Sequence, residues 1–161
     1  MPSQCFVVNE WLLHDLAGGK DEKAARRQDE ARKFLIMLKK KCDRIVIIKD
    51  SPWAQKAYKL MKIEQQTVRV LSKLLQLQII GDPKKCLELP SNPVSMVPET
   101  VSKLVSADDL YLFEAYFAAN ASALVTTDER LQNKLHSDPQ AQGMVHVLIR
   151  EEFLRGYMGS L

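Results

Sequence analysis

The run Ile45-Val46-Ile47-Ile48 constrains the fold most, because four β-branched residues in succession show no polar–apolar alternation. A strand of this kind has no face to offer to water, so it is expected at the centre of a sheet covered on both sides. Ser51-Pro52 follows at once, a hydroxyl cap with proline at the first helical position, and predicts a helix leaving the strand's carboxyl end. Cys5-Phe6-Val7-Val8, Ala123-Leu124-Val125-Thr126 and Val145-His146-Val147-Leu148-Ile149 read as further strands. Ala24, Ala31, Leu35 and Leu38 fall at helical spacing, so residues 20–41 predict one long amphipathic helix, with Lys39-Lys40-Lys41 at its electronegative end. Residues 53–77 predict helix in one or two pieces, stopped by Gly81-Asp82-Pro83. Residues 109–120 predict another, and 99–105, 129–135 and 150–154 shorter ones. Residues 84–98, with Pro90, Pro93 and Pro98, read as an ordered surface loop. Strands alternating with helices predict a single three-layer α/β/α domain with a central, mainly parallel sheet of about four to five strands.

Composition narrows the class without naming a function. A chain of 161 residues leaves little room for a second core. With 46% hydrophobic and 27% charged residues, it does not read as disordered, collagen-like or disulfide-built. Cys5, Cys42 and Cys86 are odd in number, far apart and without a C-x-x-C pair, so they read as reduced core thiols. A net charge of +3 is too small to specify a nucleic acid or a membrane. The apolar runs fall short of the roughly 20 residues of a membrane span, and Met1-Pro2-Ser3-Gln4-Cys5 lacks the basic start of a signal peptide. A soluble, cytoplasmic protein with no membrane partner is expected. Neither a phosphate loop, nor G-x-G-x-x-G, nor a G-x-S-x-G elbow occurs in the sequence.

In an open α/β sheet, ligands bind outside the carboxyl ends of the strands. The residues at those ends are polar or acidic: Asn9 and Glu10, then Asp50, then Thr127 and Asp128. Asp108 and Asp109 head the helix that feeds the last of these strands. Carboxylates gathered at one edge repel each other unless a divalent cation neutralises them, and an all-oxygen set suits Mg²⁺ or Mn²⁺. Metal-assisted attack on a phosphodiester is the chemistry such a centre performs. Taken singly, Asp108, Asp109 and Asp128 serve equally well as helix caps; together on one strand edge they argue for a site. Glu114, five residues past Asp109, is turned about 140° away. His14, His136 and His146 show no metal spacing, and Trp11 and Trp53 read as core anchors. Arg130, two residues after Asp128, is the cation placed to meet a phosphate.

The stretch Asp108-Asp109-Leu110-Tyr111-Leu112-Phe113-Glu114-Ala115-Tyr116-Phe117-Ala118-Ala119-Asn120-Ala121-Ser122-Ala123-Leu124-Val125-Thr126-Thr127-Asp128-Glu129-Arg130-Leu131 resembles the C-terminal signature of the PIN-domain nucleases. That signature has an Asp at a helix start, an Ala-rich helix, an apolar strand and Thr-x-Asp before Arg-Leu; Asp109 and Asp128 stand 19 positions apart, as the resemblance leads one to expect. Val147-Leu148-Ile149-Arg150-Glu151-Glu152-Phe153-Leu154 is similar to the close of such domains, and Cys5-Phe6-Val7-Val8-Asn9-Glu10-Trp11-Leu12-Leu13 to their first strand. Where the family ends that strand in a metal-carrying Asp, this chain has Asn9. Where it has a Glu early in the helix after the second strand, Gln55 and Lys56 are nearest, and only Asp50 offers a carboxylate nearby.

The resemblance implies a PIN-like domain over residues 1–156 with a short tail, 157–161. It implies a metal-dependent endoribonuclease with Asp109, Asp128, Asn9 and Glu10 as catalytic residues. Asp109, Asp128, Asn9, Asp108 and Asp50 would surround Mg²⁺ or Mn²⁺, and Arg130 and Thr127 would contact single-stranded or structured RNA. It also carries the expectation of a toxin with an antitoxin-like protein partner, and of a homo-oligomer. Asn9 and the missing helix Glu motivate a second expectation, a catalytically degenerate PIN-like domain that binds RNA or another protein.

Overall fold

Five short strands, β1 (Cys5–Val8), β2 (Arg44–Ile48), β3 (Cys86–Leu89), β4 (Ala123–Thr126) and β5 (Val147–Ile149), form one sheet in the order β3-β2-β1-β4-β5, with every pairing parallel. The computed structural model describes residues 3–94 and 96–159; Met1, Pro2, Ser95, Ser160 and Leu161, which include parts of the expected N-terminus, loop and tail, lie outside the described residues. Phe6 of β1 pairs with Ile45 of β2 and Ala123 of β4, which places β1 at the centre.

Alternate strand residues enter two separate cores. Phe6, Val8, Ile45, Ile47, Ala123 and Val125 pack against α1 (Trp11–Ala17), α2 (Glu22–Lys40), α3 (Pro52–Leu60), α4 (Gln66–Lys73) and α9 (Arg150–Gly159). Val7, Val46, Ile48, Leu124 and Val147 pack against α5 (Glu99–Ser102), α6 (Leu110–Ala119), α7 (Glu129–Ser137) and α8 (Pro139–Gln142). The expected three-layer α/β/α domain is therefore what the chain forms, and the run 45–48 is buried on both faces because each face has its own helical layer. The β1–β2 and β2–β3 connections cover one face, and β3–β4 and β4–β5 the other. The strand order thus reverses between β1 and β4, and the crevice at their carboxyl ends is where such a sheet receives a ligand.

Local signals place the elements. Asp21 caps α2 by accepting from the Ala24 amide, and Ser51 caps α3 by accepting from the Ala54 amide with Pro52 at its first turn. The Lys85 ammonium donates to the Leu38 carbonyl at 3.0 Å and to the Lys41 carbonyl, closing the C-terminal end of α2 with positive charge.

Three expectations change, and one helix appears for which no element was expected. Residues 84–98 are not all loop, because Cys86–Leu89 forms edge strand β3, in register from Ile45↔Cys86 to Ile48↔Leu89. Residues 11–17 form a helix of their own before the Gly18-Gly19 break. The helix expected over residues 53–77 in one or two pieces is α3 and α4, and the latter continues past residue 77 as a π-helical stretch, Leu74–Ile80, that buries Leu75 and Ile79. The last helix runs to Gly159, so Tyr157 of the expected tail is a core residue stacked on Phe153 at 5.3 Å. Cys5, Cys42 and Cys86 are free thiols as expected, but Cys42 is exposed and Cys5 half-buried. Only Cys86 is buried, and that burial pushes its thiol up to about 12. No helix among the described residues is long and apolar enough to cross a membrane.

Candidate functional site

β1 and β4 run on together past their last paired residues. The Asn9 amide N–H donates to the Val125 carbonyl at 2.9 Å, which carries β1 one residue beyond Val8. The Asn9 side chain then turns into the fold: Nδ2 donates to Thr126 Oγ1 at 3.1 Å, and Oδ1 accepts from the Glu10 backbone N–H at 2.7 Å. Thr126 is fully buried, and its Oγ1 also accepts from the Asp128 backbone N–H at 3.1 Å. One hydroxyl thus ties the ends of both strands.

The two aspartates of the motif differ in role. Asp128 Oδ1 accepts from the Leu131 amide at 3.1 Å and caps α7, so its capping function is real. Asp109 stands at the N-cap position of α6, yet its carboxylate makes no cap bond; Oδ2 instead accepts from the Ser106 hydroxyl at 3.2 Å. Burial pushes the Asp109 carboxyl above its ordinary value, the Ser106 bond opposes this, and the negative charges of Asp128, Glu10 and Asp108 raise it further. Those three carboxylates are therefore the ones that bear on Asp109.

Glu10 is held from two sides. Lys56 Nζ lies 2.6 Å from Oε2, and the Tyr111 hydroxyl donates to Oε1 at 3.2 Å. Burial and the Glu10 charge push the Tyr111 hydroxyl well up, so it remains a donor at neutral pH. Asn9, Glu10, Asp109 and Thr127 share the wall of an open cavity of about 1020 Å³ with Lys56 and Lys59. Asp108, Asp128 and Arg130 are exposed beside this group and do not line the cavity. Asp50 stands apart: its backbone is left-handed at φ 63°, and its carboxylate accepts from the Ser91 hydroxyl at 3.2 Å on the β3 side of the sheet.

The donor set fits a divalent cation poorly. Among the described residues, no three His, Cys, Asp or Glu side chains converge as a cage for a metal. Asn9 brings no charge, and its amide oxygen already accepts one hydrogen bond, from the Glu10 N–H. One Glu10 oxygen faces an ammonium and the other a phenol, while one Asp128 oxygen caps a helix. Asp109 is left as a half-buried carboxylate among like charges.

Three groups of the site carry no motif of their own. Lys56 marks its place only as a neighbour of the absent Glu, Tyr111 lies two residues past Asp109, and Thr126 belongs to the apolar strand. A fourth, Arg150, contacts Asp15 and Trp11 of the cavity wall and is 2% exposed. Its Nε lies 2.7 Å from Asp15 Oδ2, its guanidinium reaches Glu30 at 3.2 Å, and it sits 5.2 Å from the Trp11 ring centroid. Trp11 Nε1 in turn donates to the Val125 carbonyl at 3.1 Å. This chain of contacts orients α1, at whose start Glu10 stands. Trp11 and Trp53 are both buried in the core, as expected, and the His14 side chain is exposed.

Compared with known proteins, the chain matches no family model and no curated protein.

Proposed function

We propose that this chain is a PIN-like domain that binds RNA along the β1–β4 crevice without cutting it. Asn9 carries this reading. At the position where the resembled family holds metal with an Asp, a neutral amide has each polar atom engaged in a hydrogen bond within the fold, Nδ2 to Thr126 and Oδ1 from the Glu10 N–H. Lys59 in the open cleft and exposed Arg130 on the first turn of α7 are the cations offered to phosphate, since Lys56 and Arg27 on the same wall pair with Glu10 and Glu151. An open groove with cations on its wall suits a flexible single strand, whose phosphates release counter-ions on binding.

The test is fluorescence anisotropy of labelled single-stranded and hairpin RNAs over a salt series with EDTA present. Binding should be indifferent to EDTA and weaken with salt, and Lys59→Ala should lower the log–log salt slope by about one. Absence of RNA binding, or binding that requires Mn²⁺, overturns the proposal.

A second reading, the metal-dependent endoribonuclease implied by the resemblance, is favoured by the crowding of negative charge on Asp109. Cleavage of labelled RNA and single-stranded DNA with Mn²⁺, Mg²⁺ or EDTA, run beside Asp128→Asn, decides between the two. Metal-dependent cleavage that disappears in the variant would replace the first reading with this one. An antitoxin-like partner and self-association belong to this second reading alone.

A further inference from the structure

The sheet has a second opening, at the end opposite the crevice. The amino ends of β1, β4 and β5, the C-terminal end of α2 and the side of α9 enclose an open cavity of about 810 Å³, a size that holds a small organic molecule. Its floor is aromatic. Phe6 meets Phe153 edge-on at 5.0 Å and Tyr157 at 5.4 Å, Phe153 and Tyr157 stack at 5.3 Å, and all three are buried. The charges on its wall cancel, Lys40 and Lys41 against Asp43 and Glu152. Two of them are held on Tyr157: the Lys41 ammonium donates to its carbonyl at 3.1 Å and lies 4.1 Å from its ring centroid, and Asp43 Oδ2 accepts from its hydroxyl at 2.8 Å. Lys40 and Glu152 are exposed, one charge of each sign.

Gly156 forms part of the same wall. It stands inside α9, where glycine costs stability relative to alanine, and its backbone has no left-handed φ that would call for glycine. A Cβ at this position would meet no atom within 4 Å. A side chain there would lean back toward Glu152 and Phe153 on the preceding turn, both of which line the cavity. Neither the backbone nor the packing of the fold requires glycine here; what the missing side chain leaves is room at the cavity wall. We propose that this cavity is a binding site for a compact aromatic molecule without net charge, seated on Phe6, Phe153 and Tyr157 and admitted past Gly156. Aromatic rings gain from edge-on and offset contacts beyond the area they bury, which the floor offers. A ligand with a net charge would give up hydration to a wall whose own charges already balance.

The experiment titrates phenylnaphthylamine, an uncharged probe whose emission rises in an apolar site, into the full chain. Wild type and Gly156→Ala should bind one equivalent saturably, and Gly156→Ala should melt at or above wild type because alanine favours the helix. Gly156→Trp should weaken binding at least about tenfold. Alkylation of wild type with N-ethylmaleimide should do the same, because Cys42 is the exposed thiol and lines this cavity, whereas Cys42→Ser given the same treatment should keep its binding. Anilinonaphthalenesulfonate, the same rings with one negative charge added, should bind wild type at least about fivefold more weakly than the uncharged probe. Absence of saturable binding in wild type, undiminished binding in Gly156→Trp or in the alkylated protein, or a sulfonate bound as tightly as the uncharged probe overturns the proposal. Should Gly156→Trp fail to fold, the alkylated wild type decides on its own. No RNA enters the measurement, so its outcome is independent of what the crevice binds.

Discussion

Asp109 carries a charge that its surroundings disfavour, and this has a consequence for pH. Its folded carboxyl is raised, first by burial and then by Asp128, Glu10 and Asp108, so the folded chain binds this proton more tightly than the unfolded chain does. The resulting cost to folding is absent below the ordinary carboxylate range. It grows as pH climbs through the interval up to the raised value, and it persists at neutral pH. Asp109→Asn should therefore raise the melting temperature at pH 7 by about 1–2 °C and leave it unchanged near about pH 3, as scanning calorimetry at the two pH values would show. Arg150 is the opposite case, a charge the fold requires. Asp15 is buried and raised by that burial against the pull of Arg150, and Arg150→Met leaves its carboxylate without the buried guanidinium that pairs with it. Urea unfolding should show a loss of about 3–5 kcal/mol, with much of it restored in Asp15→Leu/Arg150→Met. Asp109 and Asp128 were legible in the sequence because each sits next to a strong local signal, a helix start or a strand end. Asp50 also follows a strand, but β2 delivers it to the β3 side, away from the switch point, and only strand order determines that.

At the scale of elements, the caps are the signals that carried through. Ser51→Ala removes the bond to the Ala54 amide and should cost about 1 kcal/mol, seen as a melting temperature lower by about 2–4 °C. Asp128 is a cap as well as a candidate ligand, so Asp128→Ala should lose a similar amount, whereas Asp128→Asn should keep nearly all the stability. Thermal melts of the two variants side by side check this, and the asparagine variant is the one suited to functional assays. β3 escaped notice for a physical reason. Cys86-Leu87-Glu88-Leu89 is an edge strand with one strongly buried residue, flanked by Lys84-Lys85 and Pro90, and its pairing with β2 is stabilised by a neighbour about 40 residues away rather than by its own pattern. The helix 11–17 is short, and it holds its place by burying Trp11, Leu12, Leu13 and Leu16 against α2 and the sheet, a tertiary gain that outweighs its length.

Across the whole molecule, two core layers share one sheet, so neither layer can open without stripping the strands that the other packs on. Trp11 and Trp53 both report the layer of α1 to α4 and α9, while far-UV circular dichroism reports every helix. Their urea unfolding curves should coincide; a tryptophan transition that precedes the loss of helix would show the layers to be independent. The sequence by itself determined the element types apart from β3 and the helix 11–17, an interior strand buried on both faces, the parallel α/β sheet and the strand edge on which polar residues gather, because periodicity, caps and apolar runs are relations between neighbours along the chain. Only the tertiary structure decided which charges meet. Lys56 reaches Glu10 across 46 residues, Arg150 reaches Asp15 across 135, and Asn9 joins Thr126 across 117. Those partners are chosen by strand order and by the layer each helix covers, and no local pattern encodes either.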